Sequence, residues 1–221
     1  MSSVLAENQR AIILAHTVTA KARLCPEIVL RLVTATCPLW KASEEDAARA
    51  GLVEPYWAFS WAGGQALARY VLDHPELVRG KDVLDFGAGG AVEGIAAALS
   101  GARVLAADID VMALESARLN AELNRVSLET TARDLVGDVS RNFEVVLAGD
   151  VFYGTEMARP TLAWLRALAA RRALVLIGDP DRGFLDTTGL DAVERYDAPA
   201  DNDADGSFLR PTTVYRVRAS G

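Results

Sequence analysis

Five aspartates have the spacing to do chemistry together. Asp85, Asp108, Asp134, Asp150 and Asp179 each stand at or just past the end of a short apolar run. If those runs are parallel strands, the acids gather beyond the carboxyl ends of one sheet, where open α/β sheets bind ligands at the point of strand-order reversal. The first acid opens the turn Asp85-Phe86-Gly87-Ala88-Gly89-Gly90-Ala91. Its glycines let the backbone turn tightly and approach a ligand closely. Asp108 follows Gly87 by 21 positions, the spacing at which an acid holds a ribose diol.

Nicotinamide dinucleotides and S-adenosylmethionine both carry that ribose. Two residues favour S-adenosylmethionine. Val92 stands where the dinucleotide pattern G-x-G-x-x-G/A has Gly or Ala, and its bulk hinders packing at a pyrophosphate site. Asp85 would repel a pyrophosphate but suits the cationic methionine half. Asp134 is placed to accept from an adenine amino group. Asp150-Val151-Phe152-Tyr153 puts a carboxylate and two rings at the centre of the expected cleft. Trp57 and Trp61, beside Gly63-Gly64, suit a cover over a flat or cationic group.

The elements that must position these residues follow from pattern. Val83–Phe86, Val104–Ala107, Leu128–Ala132, Phe143–Ala148 and Ala173–Ile177 read as strands. Helices are expected at Val92–Ser100, from Asp110 to about Asn124, and from Thr161 to about Arg171. Alternation of this kind implies a mostly parallel sheet covered on both faces, with right-handed crossovers. Leu190–Tyr196 and Thr212–Val217, joined across Asp201–Gly206, read as an antiparallel C-terminal hairpin. That hairpin fits a seven-strand methyltransferase sheet better than a six-strand dinucleotide domain. Upstream, Ser2 to about Lys21, a segment from Pro26 through Leu32, Ser43–Asp46 and Gln65–Leu72 are expected as helices. Residues 1–80 thus read as a helical and aromatic cap, and residues 81–221 as the core of a single domain.

Composition narrows the class. The chain has 221 residues, 51% of them hydrophobic, and a net charge of -7. That is enough apolar material for one core. A broad nucleic-acid face would carry the opposite charge, so no nucleic-acid partner is expected, and a lysine-bearing protein loop would be attracted instead. Cys25 and Cys37 are too few for a disulfide scaffold, and with His16 and His74 they form no metal-ligand spacing. No apolar run reaches the roughly 20 residues of a membrane span. The expected location is cytoplasmic, with no membrane or metal partner.

With these residues in place the sequence resembles the seven-strand protein lysine methyltransferases of the Rossmann-like class I fold. Within them it is most similar to those acting on the electron transfer flavoprotein beta subunit. The resemblance runs from about Cys25 to Arg182. It rests on Pro55-Tyr56-Trp57-Ala58, Trp61-Ala62-Gly63-Gly64-Gln65-Ala66-Leu67, the glycine turn, Asp108-Ile109-Asp110, Leu119-Asn120-Ala121-Glu122-Leu123-Asn124, Asp150-Val151-Phe152-Tyr153 and Ile177-Gly178-Asp179-Pro180-Asp181-Arg182. Two departures stand out. Ala91 replaces the last glycine of the common D-x-G-x-G-x-G pattern, and Asp181 stands where the animal enzymes are expected to have Gly.

The resemblance implies S-adenosylmethionine as cofactor and the flavoprotein beta subunit as partner, with neighbouring lysines as targets. Asp85, Gly87 and Gly89 would shape the methionine pocket, and Asp108 with Ile109 would lie at the ribose. Asp134 and the Leu135 amide would read adenine, and Trp61 would lie over the cofactor. Asp150 would sit near the sulfonium and orient the amine, with Phe152 and Tyr153 lining the lysine channel. The alternatives are a methyltransferase for another protein or small amine, a nicotinamide-dependent oxidoreductase, and a non-catalytic binding module.

Overall fold

The computed structural model describes residues 3–33, 55–199 and 208–219. The expected helix at Ser43–Asp46, Cys37 and the loop Asp201–Gly206 lie outside them. The chain begins with helix α1 (Ser3–His16), then two strands, β1 (Val18–Lys21) and β2 (Val29–Leu32), paired antiparallel with Val18 opposite Leu32. The helix expected over Ser2–Lys21 is present but ends at His16, and the helix expected after Pro26 is replaced by a strand. The β-branched pairs Val18-Thr19 and Ile28-Val29 favour extended backbone, and Cys25-Pro26 fall in the turn between the strands, where Ile28 N–H donates to the Cys25 carbonyl at 2.9 Å.

Helix α2 (Ala62–Asp73) precedes the alternating region. Then come β3 (Asp82–Phe86), α3 (Val92–Leu99), β4 (Arg103–Ala107), α4 (Val111–Leu123), β5 (Glu129–Thr131), β6 (Val145–Gly149), α5 (Thr155–Ala170), β7 (Leu174–Asp179), β8 (Leu190–Pro199) and β9 (Leu209–Val217). The last seven strands form one sheet in the order β5-β4-β3-β6-β7-β9-β8. Strands β3 to β7 run parallel; β9 runs antiparallel to β7, and β8 antiparallel to β9. The C-terminal strands therefore pair as expected. Strand order reverses between β3 and β6, so the switch point lies at Phe86 and Gly149.

Strand alternation divides the core. Val83, Val145, Leu147 and Leu176 pack with Leu67 of α2 and Ile95 of α3. Leu84, Val146, Val175 and Ile177 pack with Leu165 and Trp164 of α5. The segment expected as a cap is thus divided, because α2 lies on the sheet itself. Glycines allow this. A Cβ on Gly63 would meet the Gly178 carbonyl and lie 2.7 Å from Asp150 N, and one on Gly149 would lie 2.7 Å from Gly64 Cα.

Helix α5 starts six residues before the expected Thr161 and contains Pro160. Proline there forfeits one hydrogen bond near the helix start. The buried face of Ala158, Leu162, Leu165 and Leu168 holds the helix together across it. On the other side, Asn120 of α4 and Asn124, the residue just past its end, clamp β2. Asn120 accepts from Arg31 N–H at 2.7 Å and donates to the Gly90 carbonyl at 2.9 Å. Asn124 exchanges two bonds with the Val29 backbone, at 2.9 and 2.6 Å.

Candidate functional site

The glycine turn after β3 is the floor of the site. Gly87 and Gly89 take positive φ, 67° and 51°, which a side chain would disfavour. At Gly87 a Cβ would also stand 2.8 Å from Val151. Ala91 takes φ 60° as the residue before α3, so the missing last glycine leaves a left-handed alanine in place.

Asp85 lies beneath the glycine turn. Its position in β3 directs it to the α2–α3 side of the sheet, where it is fully buried. Its Oδ2 accepts from Gly94 N–H at 3.0 Å, an approach allowed by the absent Cβ at Gly94. Burial pushes its carboxyl up to about 7. Beside it lies Glu93, also buried. Its carboxyl is held well above the usual range by burial and by Asp85, against the opposing backbone N–H groups of Glu93 and Gly149. Sequence reasoning missed Glu93, since an acid in the first turn of a helix ordinarily faces water. Asp85 thus braces the turn from below through Oδ2, while its Oδ1 meets no donor among the described residues.

Asp108 sits at the end of β4 and ties two backbones together. Oδ2 accepts from Gly89 N–H at 2.8 Å and Oδ1 from Asp110 N–H at 2.9 Å. Burial raises its carboxyl despite those bonds. Next to it, Ile109 is 75% exposed. A bare apolar side chain beside an acid at a strand end suits a ribose and a flat base. Asp134 is exposed and accepts from Val136 N–H at 3.0 Å. Leu135 is buried among Leu84, Leu105 and Trp164, which leaves only its backbone for a ligand. The glycine turn, Asp108, Ile109 and the Asp134 turn therefore fit an adenosine group across β3, β4 and β5.

The other half of the cleft lies past β6 and β7. Asp150 is buried at φ 56°. Its Oδ2 accepts from Gly63 N–H at the start of α2, and its Oδ1 from Arg182 Nε at 2.7 Å, with Arg182 Nη2 at the same distance. Burial raises the Asp150 carboxyl, and Arg182 opposes that rise. The Arg182 guanidinium also lies over the Trp61 ring, 5.3 Å from its centroid. Trp61 packs against Tyr56 and Phe59 at 5.9 and 5.6 Å and donates Nε1–H to the Tyr56 carbonyl. Tyr153 faces Tyr56 at 6.2 Å, and both are more than half exposed.

Phe152 is elsewhere. It is 1% exposed and packs with Leu84, Val146 and Leu162. The structure places it in the core, not in a channel, because the chain leaves β6 at Asp150 and turns one ring inward and the next outward. The aromatic mouth is therefore Tyr56, Trp61 and Tyr153. Trp57 is buried against α4 residues Ala113 and Leu119.

Asp179 ends β7 and is buried. Its Oδ1 accepts from Asp181 N–H at 2.8 Å. Asp181 has φ 57°, which gives a physical reason for expecting glycine at that place. Gln65 binds the turn after β1, accepting from Leu24 N–H at 3.1 Å and donating to the Ser60 carbonyl. Cys25 is buried there too. Its Sγ lies 3.4 Å from the Gln65 carbonyl, and burial pushes its thiol up to about 12, which makes it inert packing.

Comparisons with known proteins bear on the fold and the family. The family model of ribosomal protein L11 methyltransferase matches residues 65–150. The electron transfer flavoprotein beta subunit lysine methyltransferase of Xenopus laevis is 44% identical over 78% of this chain and 70% of its own length. That of Rattus norvegicus is 37% identical over 90% of this chain and 79% of its own. Among solved structures, a 16S rRNA methyltransferase of T. thermophilus superposes with a TM-score of 0.56 at 14% identity, over 91% of this chain and 50% of that one. Magnesium protoporphyrin IX methyltransferase from Synechocystis PCC 6803 gives 0.52 at 16%, covering 70% and 77%. At such identities the structures establish the fold, that of the class I S-adenosylmethionine-dependent methyltransferases. The chain itself belongs to the electron transfer flavoprotein beta subunit lysine methyltransferase family.

Proposed function

We propose that this protein transfers methyl groups from S-adenosylmethionine to lysine side chains of the electron transfer flavoprotein beta subunit. One observation carries the reading. A match over 90% of a 221-residue chain leaves too few residues outside it to exclude any part of the segment from Tyr56 to Arg182. The similarity to a named lysine methyltransferase therefore takes in every element of the cleft.

The cofactor supplies a methyl group on a cationic sulfur. The chain's residues do the rest. Gly87, Gly89, Asp108, Ile109 and the turn at Asp134 would hold the adenosine half. The acceptor must arrive as a neutral amine, and neutralising a lysine of pKa about 10.4 near pH 7.4 costs roughly 4 kcal/mol. The rings of Tyr56, Trp61 and Tyr153 would reduce that cost once the bound protein substrate covers them and shuts out water. The Asp150–Arg182 ion pair is internally neutral, so it does not hold the acceptor in its charged form. Positioning of the two reactants accounts for the remaining acceleration.

Intact-mass measurement and peptide mapping test the reading. Electron transfer flavoprotein incubated with the protein and S-adenosylmethionine should gain mass in steps of one methyl, mapped to lysines of the beta subunit. An unchanged mass, with cofactor binding shown by calorimetry, would discard the target and keep the methyltransferase. Absence of cofactor binding would overturn the assignment as a whole.

A further inference from the structure

Two buried acids stand at matching places at the ends of β6 and β7, and they are not equivalent. Gly149 of β6 pairs with Gly178 of β7, so Asp150 and Asp179 occupy matching places on adjacent strands. Asp150 is the acid that the family resemblance puts beside the amine. Yet its Oδ2 accepts from Gly63 N–H, and its Oδ1 is held by Arg182. Both oxygens are committed to groups that fasten α2 and the β7–β8 turn. Asp179 has one oxygen committed, Oδ1 to Asp181 N–H. Its Oδ2 is buried and meets no hydrogen-bond donor among the described residues.

A buried carboxylate oxygen without a donor is costly, and native proteins seldom leave one so. An incoming N–H donor would remove the cost. We infer that Asp179 supplies the acceptor that holds the substrate amine, while Arg182 keeps Asp150 committed to the fold. This rests on the lysine methyltransferase reading given above. An amine N–H donates to Asp179 Oδ2, which aims the nitrogen lone pair at the methyl carbon. The lone pair forms the N–C bond, and the electron pair of the broken C–S bond stays on sulfur. The surplus proton on the product ammonium passes to Asp179 and then to water.

The surroundings suit that proton. Burial brings the Asp179 carboxyl up to about 6, with Asp150 and Asp181 adding to the rise and the Asp181 N–H and Arg182 opposing it. From α3, Glu93 faces Asp150, and from β9, Arg210 does. Thr213 of β9 lies opposite Asp179 in register and is neutral.

The test compares Asp179→Asn with Asp150→Asn, and it also probes the unmutated protein. Asparagine at 179 keeps an acceptor for the Asp181 N–H, so the turn survives. Asp179→Asn should keep its melting temperature and cofactor affinity. It should lose about 100-fold in kcat on the flavoprotein, within the range for a proton-transfer group, and its acidic limb in the pH–rate profile should flatten. Asp150→Asn should chiefly lower the melting temperature. In parallel, the unmutated protein labelled with carboxyl-13C aspartate and loaded with S-adenosylhomocysteine is titrated with n-butylamine. The Asp179 signal should move and the Asp150 signal should not. Near-normal kcat and an intact acidic limb in Asp179→Asn would overturn the inference, as would a butylamine response at Asp150 alone. If the flavoprotein is not methylated but butylamine still moves Asp179, the target falls and the Asp179 assignment stands.

Discussion

Arg182 and Asp150 are joined by two 2.7 Å contacts to a single carboxylate oxygen, while the guanidinium lies over Trp61. The pair closes a loop of contacts from β6 through the β7–β8 turn to the start of α2. Truncating the acid strands a buried Gly63 N–H and removes one partner of a largely buried guanidinium. Breaking such a pair costs about 3 kcal/mol. At roughly 2–4 °C per kcal/mol for a chain of this size, Asp150→Ala should melt about 10 °C lower in a calorimetric scan. An unchanged melting temperature would show that the pair does not hold α2 in place.

Two glycine substitutions should separate contact from conformation. Gly63→Ala drives a methyl into the Gly178 carbonyl and to 2.7 Å from Asp150 N, all of it rigid backbone. It should destabilise by about 3 kcal/mol and abolish cofactor binding, because α2 must lift from the sheet. Gly80→Ala meets nothing within 4 Å and pays only for its φ of 74°, about 1 kcal/mol. Chemical denaturation of both variants checks the difference.

Asn120→Ala should loosen β2 without unfolding the sheet. It removes the Asn120 bonds to Arg31 N–H and the Gly90 carbonyl, at about 1 kcal/mol for each half-buried group. Hydrogen exchange should accelerate at Arg31 and leave Leu147 protected. Equal acceleration at both would mean that the hairpin and the sheet open together.

The buried acids set a pH dependence of stability. Asp85 lies at about 7 in the folded protein, against about 3.9 for an unperturbed aspartate. Between those values the folded state keeps a proton that the unfolded state has released, so stability falls as pH rises from about 4 to 7. The melting temperature of the free protein should decline from pH 5 to 8, and Asp85→Asn should flatten that decline. Unaltered slopes would show that Asp85 is ionised in the fold.

At Asp181, glycine should be the better residue. It relieves φ 57° and removes a negative neighbour of Asp179. Asp181→Gly should therefore raise the melting temperature slightly and lower the Asp179 titration point, which carboxyl-13C shifts would read.

What the sequence determined is local. The β3 to β7 strands, the glycine turn and the acids at strand ends are legible because alternation and turn chemistry are written within a few neighbouring residues. The Asp108 spacing and the paired Gly63-Gly64 are legible for the same reason. Residues 18–21 and 26–32 misread as helix because their extended form is secured by pairing with each other and, at Val29 and Arg31, by Asn120 and Asn124 about 90 positions on. Tertiary packing decided which way each side chain faces. It buried Phe152, turned Asp85 beneath the glycine turn, buried Glu93 and filled both oxygens of Asp150. It also left one oxygen of Asp179 without a donor. The residue type of an acid is a property of the chain, but its free valence is set by donors that arrive from distant elements, and only the folded arrangement brings those within 3 Å.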